Sequence, residues 1–122
     1  MILVDTSVWV DHFRSNDPAL VDALESGLVL SHPFVVGEIA CGNVQNRTEV
    51  MRLLTNLPIA PVARDSEILA LIEARRLMGR GIGYIDAHLL ASAALSHDTR
   101  LWTRDRRLAE LADRLDLAFH EE

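Results

Sequence analysis

The chain has 122 residues, the length of one domain, and its 18 acidic and 12 basic residues give a formal net charge of −6. All of the basic residues are arginine, which excludes mechanisms that need a lysine amine, such as Schiff-base formation, a Ser-Lys pair or a Walker-type phosphate loop. The single cysteine, Cys41, excludes an internal disulfide framework and a multi-cysteine zinc site. The apolar stretches are too short to span a bilayer, and the first residues lack the basic region of a signal peptide. We therefore expect a cytoplasmic protein without a membrane partner.

Short apolar segments rich in β-branched residues alternate with longer segments of helical periodicity. In chain order, the predicted elements are a strand at 1–4, a helix ending at 14, a helix from 17 to about 27, a strand at 28–30, helices at 33–41 and 46–57, a weak edge strand at 59–62, a helix from 65 to the glycines at 79–83, a nearly all-apolar helix at 85–95, a strand at 101–103, a helix at 106–115 and a strand at 117–119. This alternation predicts one α/β domain over residues 1–122, with a mostly parallel sheet of about 4–5 short strands flanked by helices.

Three helix starts carry capping signals. Asp17 followed by Pro18 is typical of a helix start, with the acid as N-cap and the proline at the first helical position. Thr6 or Ser7 is predicted to cap the helix after the first strand. Asn46, with a glutamate three residues later, resembles a capping box.

Four acidic residues lie where the pattern predicts burial or the end of a strand. Asp5 and Asp105 follow predicted strands, Asp86 begins the apolar helix, and Glu38 has apolar neighbours on its helical face. Ligands bind at the carboxyl edge of parallel sheets, and like charges gathered there repel one another unless a cation neutralises them. Oxygen ligands suit Mg²⁺ or Mn²⁺ rather than zinc. The pattern alone leaves an alternative, in which the three aspartates are helix N-caps and the glutamate forms a salt bridge.

Four segments, MILVDTSVWV, PFVVGEIACG, GRGIGYIDAHLLASA and LWTRDRRL, resemble the ordered signature of the PIN-domain ribonucleases and are most similar to the VapC toxins of toxin–antitoxin pairs. The resemblance extends from residue 1 to about residue 119 and implies a three-layer PIN-like fold. It also implies a Mg²⁺- or Mn²⁺-dependent endoribonuclease. The implied acidic quartet is Asp5, Glu38, Asp86 and Asp105, and the implied pocket-lining hydroxyls are Thr6, Ser7 and Thr103.

The resemblance gives each acid an expected role. Asp5 and Asp86 are expected to be the central metal ligands, Asp105 is expected to support a second ion, and Glu38 is expected to bind metal or orient water. The chain departs from many relatives after the fourth acid. Where they have an aspartate or asparagine and then a phenylalanine, it has the run 106–108, Arg-Arg-Leu.

The resemblance further implies the toxin of a type II toxin–antitoxin system. The expected partners are an RNA substrate, a VapB-type antitoxin that inserts a segment across the active-site groove, and a second copy of the chain in a homodimer. Cleavage of structured RNA such as tRNA or rRNA would inhibit translation. Two alternatives stay open: a PIN-type RNA-processing nuclease without an antitoxin, and a non-catalytic PIN-like module in which the carboxylates bind metal for stability only.

Arginine is concentrated in the second half of the chain. Residues 75–107 contain seven arginines and three acids, whereas residues 1–63 contain three arginines and seven acids. A basic stretch around an acidic site suits the binding of RNA phosphates. Arg80, Arg104 and Arg106 are the predicted RNA contacts, whereas Arg75 and Arg76 could instead form surface ion pairs. The two tryptophans are predicted to belong to the core.

Overall fold

The computed structural model describes residues 1–121, and its centre is a parallel sheet of three short strands. The strands are β1 (Ile2–Val4), β2 (Val29–Leu30) and β3 (Arg100–Trp102), in the spatial order β2-β1-β3. All three residues of β1 are buried, as expected for a central strand with no polar alternation.

Seven helices connect and follow the strands within residues 1–121. They are α1 (Thr6–Ser15), α2 (Pro18–Glu25), α3 (Pro33–Cys41), α4 (Arg47–Asn56), α5 (Asp65–Arg75), α6 (Tyr84–Leu95) and α7 (Arg106–Arg114). The predicted α/β class with a parallel sheet is confirmed. None of the helices in this part of the chain is long and apolar enough to cross a membrane.

The sheet has fewer strands than the sequence predicted, because two of the expected strands, at 59–62 and 117–119, form only isolated bridges. Ile59 bridges to Ser31 and lies between two prolines, and Pro61 has no N–H with which to extend a ladder. Ala118 bridges to Leu101, where the chain makes two backbone hydrogen bonds and then leaves the sheet.

The capping predictions have mixed outcomes. Asp17 caps α2 as predicted, since its carboxylate accepts hydrogen bonds from two backbone amides of the first turn, at 3.0 and 3.2 Å. The prediction for α1 is wrong, because the N-cap position is Asp5 and the hydroxyls of Thr6 and Ser7 bond to side chains instead. The prediction of a capping box at Asn46 is also wrong, because this residue adopts a left-handed conformation and its side chain makes no capping hydrogen bond.

Helix α6 and the two tryptophans form the centre of the core. Residues 87–93 of α6 are all buried, which confirms the deep burial predicted from the apolar run. Trp9 and Trp102 are 0% and 1% exposed, as predicted for core residues. Full burial of each large apolar side chain stabilises the fold by about 1.5–3 kcal/mol. This core fixes the ends of β1 and β3 and the start of α6, where three of the four candidate acids lie.

Candidate active site

Asp5 is the most buried of the four acids. It follows β1 directly, is 6% exposed, and donates its backbone N–H to the carbonyl of Trp102 at 2.9 Å. Its Oδ2 accepts hydrogen bonds from Ser7 Oγ at 2.8 Å and from Thr103 Oγ1 at 2.7 Å. A buried carboxylate needs such partners, since burial of an unpaired charge is costly. Two hydroxyls, one after each of two neighbouring strands, therefore orient this carboxylate.

Asp105 lies in the segment after β3 and is the N-cap of α7. Its Oδ1 accepts a hydrogen bond from the backbone N–H of Leu108 at 3.0 Å. Its own N–H donates to Thr103 Oγ1 at 3.1 Å, so the threonine that orients Asp5 also bonds to Asp105. The capping role foreseen as an alternative is therefore real for Asp105, and the charge of this carboxylate also helps to raise the pKa of Asp86.

Asp86 is the third residue of α6, and its Oδ2 accepts a hydrogen bond from the backbone N–H of Gly83 at 3.1 Å. Burial raises the pKa of this half-buried carboxyl, and the hydrogen bond from Gly83 opposes that shift. The negative charges of Asp5, Asp105 and Glu38 raise the pKa of Asp86 further. Asp86 therefore lies within electrostatic range of three acids that come from other segments of the chain.

Glu38 reaches the same region from α3, where its side chain is exposed. Its Oε1 accepts a hydrogen bond from Thr6 Oγ1 at 2.7 Å. The adjacent residues Thr6 and Ser7 therefore hold two different acids, one from α3 and one from the end of β1. Each of the three hydroxyl residues predicted to line the pocket contacts a carboxylate of the quartet.

The oxygen donors of this site fit a hard divalent cation that keeps part of its hydration shell. Within residues 1–121, no three Asp, Glu, His or Cys side chains converge closely enough to form a preformed metal cage. Mg²⁺ does not need such a cage, because it commonly binds through one or two carboxylates, retained waters and substrate phosphates. The neighbouring negative charges help to raise the pKa of Asp86, and a bound cation would offset them.

Arg104 has partners that sequence reasoning missed. Its guanidinium donates to Asp11 at 2.9 Å, to Glu121 at 2.8 and 3.2 Å, and to Asp17. The side chain is 25% exposed, and these hydrogen bonds, with Glu121 first, raise its pKa. An RNA phosphate would have to displace carboxylates of the chain itself. We therefore do not keep Arg104 as a predicted RNA contact, and no local signal would have revealed partners so distant in sequence.

Arg80 and Arg106 remain candidates for RNA contact. Both side chains are exposed, and Arg106 is the first residue of α7, directly after Asp105. Arg80 lies in the segment between α5 and α6, where its Nε donates to a backbone carbonyl at 3.4 Å. That segment packs against α7: a Cβ built on Gly81, which has a φ of +81°, would lie 2.6 Å from Cδ of Arg107.

Two buried histidines, His32 and His88, lie with their ring centroids 6.2 Å apart, and no sequence spacing relates them. His32 is fully buried and caps α3, since its Nδ1 accepts a hydrogen bond from the N–H of Phe34 at 3.0 Å. Burial, followed by the charge of His88, lowers the pKa of His32 to about 4. The ring of His88 contacts Phe34 and Tyr84 at centroid distances of 4.6 and 4.9 Å. Both histidine rings are therefore part of the core, and the lowered pKa of His32 keeps that ring neutral near pH 7.

Comparison with known proteins places this arrangement in a family. Residues 2–114 match the PIN domain family. The chain is 47% identical over 122 residues to Ribonuclease VapC32 of Mycobacterium tuberculosis, covering 100% of this chain and 98% of the relative. It is 30% identical over 117 residues to Ribonuclease VapC11 of the same species and to VapC ribonuclease Mb1587 of Mycobacterium bovis, covering 86% of this chain and 87% of each relative. The chain belongs to the PIN-domain family and, within it, to the VapC ribonucleases.

Proposed function

We propose that this VapC ribonuclease is a Mg²⁺- or Mn²⁺-dependent endonuclease that hydrolyses phosphodiester bonds in structured RNA, such as tRNA or rRNA, and so inhibits translation. The observation that supports the metal dependence most directly is the raised pKa of Asp86, which burial raises first and the charges of Asp5, Asp105 and Glu38 raise further. A cation bound beside Asp86 would offset the negative charges that act on this carboxyl.

Each of the four acids would have a role in metal binding or water orientation that follows from its position. Asp5 and Asp86, the two least exposed, would be the central metal ligands, and Asp105 would support a second ion. Glu38, held by the hydroxyl of Thr6, would bind metal or orient the attacking water. A bound divalent cation lowers the pKa of water and offsets charge on the phosphoryl oxygens. Hydrolysis of this kind would leave 5′-phosphate and 3′-hydroxyl ends.

Cleavage of total RNA by the protein free of any partner is the direct test. With Mg²⁺ or Mn²⁺ we expect new 5′-phosphate ends at a few discrete positions, and with EDTA we expect none. Adding back either metal should restore the same ends. Cleavage that persists in EDTA would overturn the metal dependence. A folded protein that cuts no RNA with either metal would instead favour a non-catalytic module.

Charge reversal at Arg106 tests the predicted RNA contact. Arg106→Glu should weaken RNA binding and reduce the slope of log K against log salt by about one, since one phosphate contact is lost. Binding is measured in an Asp5→Asn background, so that the RNA stays intact. Arg52→Glu, at an exposed position of α4, is the matched control and should keep the wild-type slope. An unchanged slope for Arg106→Glu would argue against the contact.

We also propose a VapB-type antitoxin as a partner of the chain. A groove of about 930 Å³ has Thr6 and Glu38 among its lining residues. An antitoxin segment that binds in this groove would therefore cover part of the acidic site. Its walls come from α1, α3, α4 and the segment between α3 and α4, and they include apolar side chains at Val10, Phe13, Ile39, Val44, Val50 and Leu53. An adjacent reading frame that encodes a small DNA-binding protein would support this partner, whereas an RNA-processing nuclease needs none.

A homodimer is the remaining proposal taken from the family. The chain exposes several large apolar side chains, among them Ile59 and Leu69, which are 61% and 58% exposed and are available for an interface. The mass of the purified chain in solution tests this proposal.

A further inference from the structure

Arg104 occupies the position between two residues of the acidic site, and its side chain bonds to carboxylates outside the quartet. On one side is Thr103, whose hydroxyl donates to Asp5 at 2.7 Å, and on the other is Asp105. The backbone N–H of Arg104 donates to Ser7 Oγ at 3.0 Å, and Ser7 in turn donates to Asp5 at 2.8 Å. The main chain at this position is thus bonded directly to the residues that orient the buried acid.

The guanidinium of Arg104 is held by three carboxylates, which together with it we name the Arg104 clamp. Asp11 comes from α1, Asp17 is the N-cap of α2, and Glu121 lies beyond α7. The ring of Trp102 lies 5.6 Å from the guanidinium carbon. An arginine presents five donors in a rigid fork, and pairing with a carboxylate through two of them fixes its orientation. Glu121 is paired in this way, through both of its oxygens.

The clamp and the acidic site share one short piece of main chain. Any displacement of residue 104 would move Thr103, which donates to Asp5, and Asp105, whose N–H donates to the same threonine hydroxyl at 3.1 Å. The clamp residues themselves do not belong to the quartet. The clamp therefore acts on the site through backbone position and hydroxyl orientation.

We propose that Arg104 is a positioning residue of the acidic site, which sets the placement of Asp5 and Asp105 through Ser7 and Thr103. This inference rests on the proposed metal-dependent function. Groups that orient metal ligands without touching the metal commonly change metal affinity or activity by about 10–100-fold. The role differs from the phosphate contact that the sequence suggested for this arginine, because it predicts an effect on metal binding in the absence of RNA.

The test compares Arg104→Gln with Arg104→Lys and with the control Arg100→Gln. Arg100 is the first residue of β3, four positions before Arg104. It pairs with Asp116 on the surface, where the side chains of Arg100 and Asp116 are 47% and 94% exposed. Mn²⁺ affinity of the RNA-free protein is measured by titration, and kcat and KM for RNA cleavage are measured separately. For Arg104→Gln we expect Mn²⁺ affinity and kcat each to fall by about tenfold, with KM nearly unchanged. Arg104→Lys should recover part of the loss, and the control should match the wild type.

Two results would overturn the proposal. A folded Arg104→Gln protein with wild-type Mn²⁺ affinity and kcat would show that the clamp only stabilises the fold. A raised KM with unchanged kcat and Mn²⁺ affinity would show an RNA contact instead. If Arg104→Gln does not fold, the double variant Asp11→Asn and Glu121→Gln keeps the arginine, removes two anchors and should show the same losses. A wild-type protein that neither binds Mn²⁺ nor cuts RNA would overturn the proposed function itself.

Discussion

Asp5→Asn is expected to lower metal-dependent RNA cleavage by about a thousandfold or more, in line with the loss of a central residue of a catalytic centre. The substitution removes the charge of the most buried acid of the quartet, which is 6% exposed. A neutral amide is a poor ligand for Mg²⁺ compared with a carboxylate. The measurement is kcat/KM for RNA cleavage in Mg²⁺, with Asp116→Asn as a control for an equal charge change at an exposed acid.

The fold should survive this substitution. The amide oxygen of asparagine can still accept hydrogen bonds from the hydroxyls of Ser7 and Thr103. Removing one negative charge should also bring the pKa of Asp86 down, since Asp5 is one of the charges that raises it. Thermal unfolding and the Asp86 titration therefore serve as controls. A folded Asp5→Asn protein with wild-type activity would refute the assignment of Asp5 as a ligand.

Acidification is expected to destabilise the fold through His32. The pKa of His32 is about 4 in the folded protein and 6.5 in the unfolded chain. Between these pH values the unfolded chain therefore binds a proton at His32 and the folded protein does not. Stability from this group is therefore present above about pH 6.5 and is lost as the pH falls. Between pH 7 and pH 4.5 the contribution to the free energy of unfolding falls by about 2 kcal/mol. Urea unfolding at both pH values measures it.

His32→Asn isolates this effect from the other titrating groups. Asparagine is a favourable N-cap and can accept the hydrogen bond from Phe34 N–H that the imidazole accepts, but it does not titrate. The variant should lose about 2 kcal/mol less than the wild type on acidification, whatever its stability at pH 7. His120→Asn changes a side chain that is 73% exposed and should keep the wild-type dependence. Equal losses in wild type and His32→Asn would exclude His32 as the cause.

Local signals predicted the fold well, and long-range pairing limited what they could predict of the site. Asp17 and Pro18 determine the start of α2 through bonds within the first turn, and the apolar run of α6 determines its own burial. The hydroxyls of Thr6 and Ser7 bond to acids rather than cap a helix, because tertiary folding places carboxylates beside them. The resemblance to a family, rather than any periodicity, selected the four acids from the other acidic residues of the chain.

The Arg104 clamp shows why the side-chain partners of this arginine could not be predicted from a single sequence. Arg104 is separated by 93 residues from Asp11 and by 87 residues from Asp17. Residue pairs so far apart in the chain produce no periodic pattern in the sequence. An arginine near an acidic site also has the same sequence context whether it binds an RNA phosphate or a carboxylate of the protein. The sequence therefore predicted that the charge of Arg104 lies near the acidic site, but it did not predict the carboxylates that bind it.

The site joins the beginning of the chain to a segment made almost a hundred residues later. Val4 pairs with Trp102 in the sheet, and Thr103, which bonds to Asp5, lies 98 residues after it. Translation at about 5–20 residues per second needs roughly 5–20 s to add a hundred residues. During that time the nascent chain carries Asp5 but neither Thr103 nor Asp105. The acidic site stays incomplete until these residues have been added and have folded onto β1.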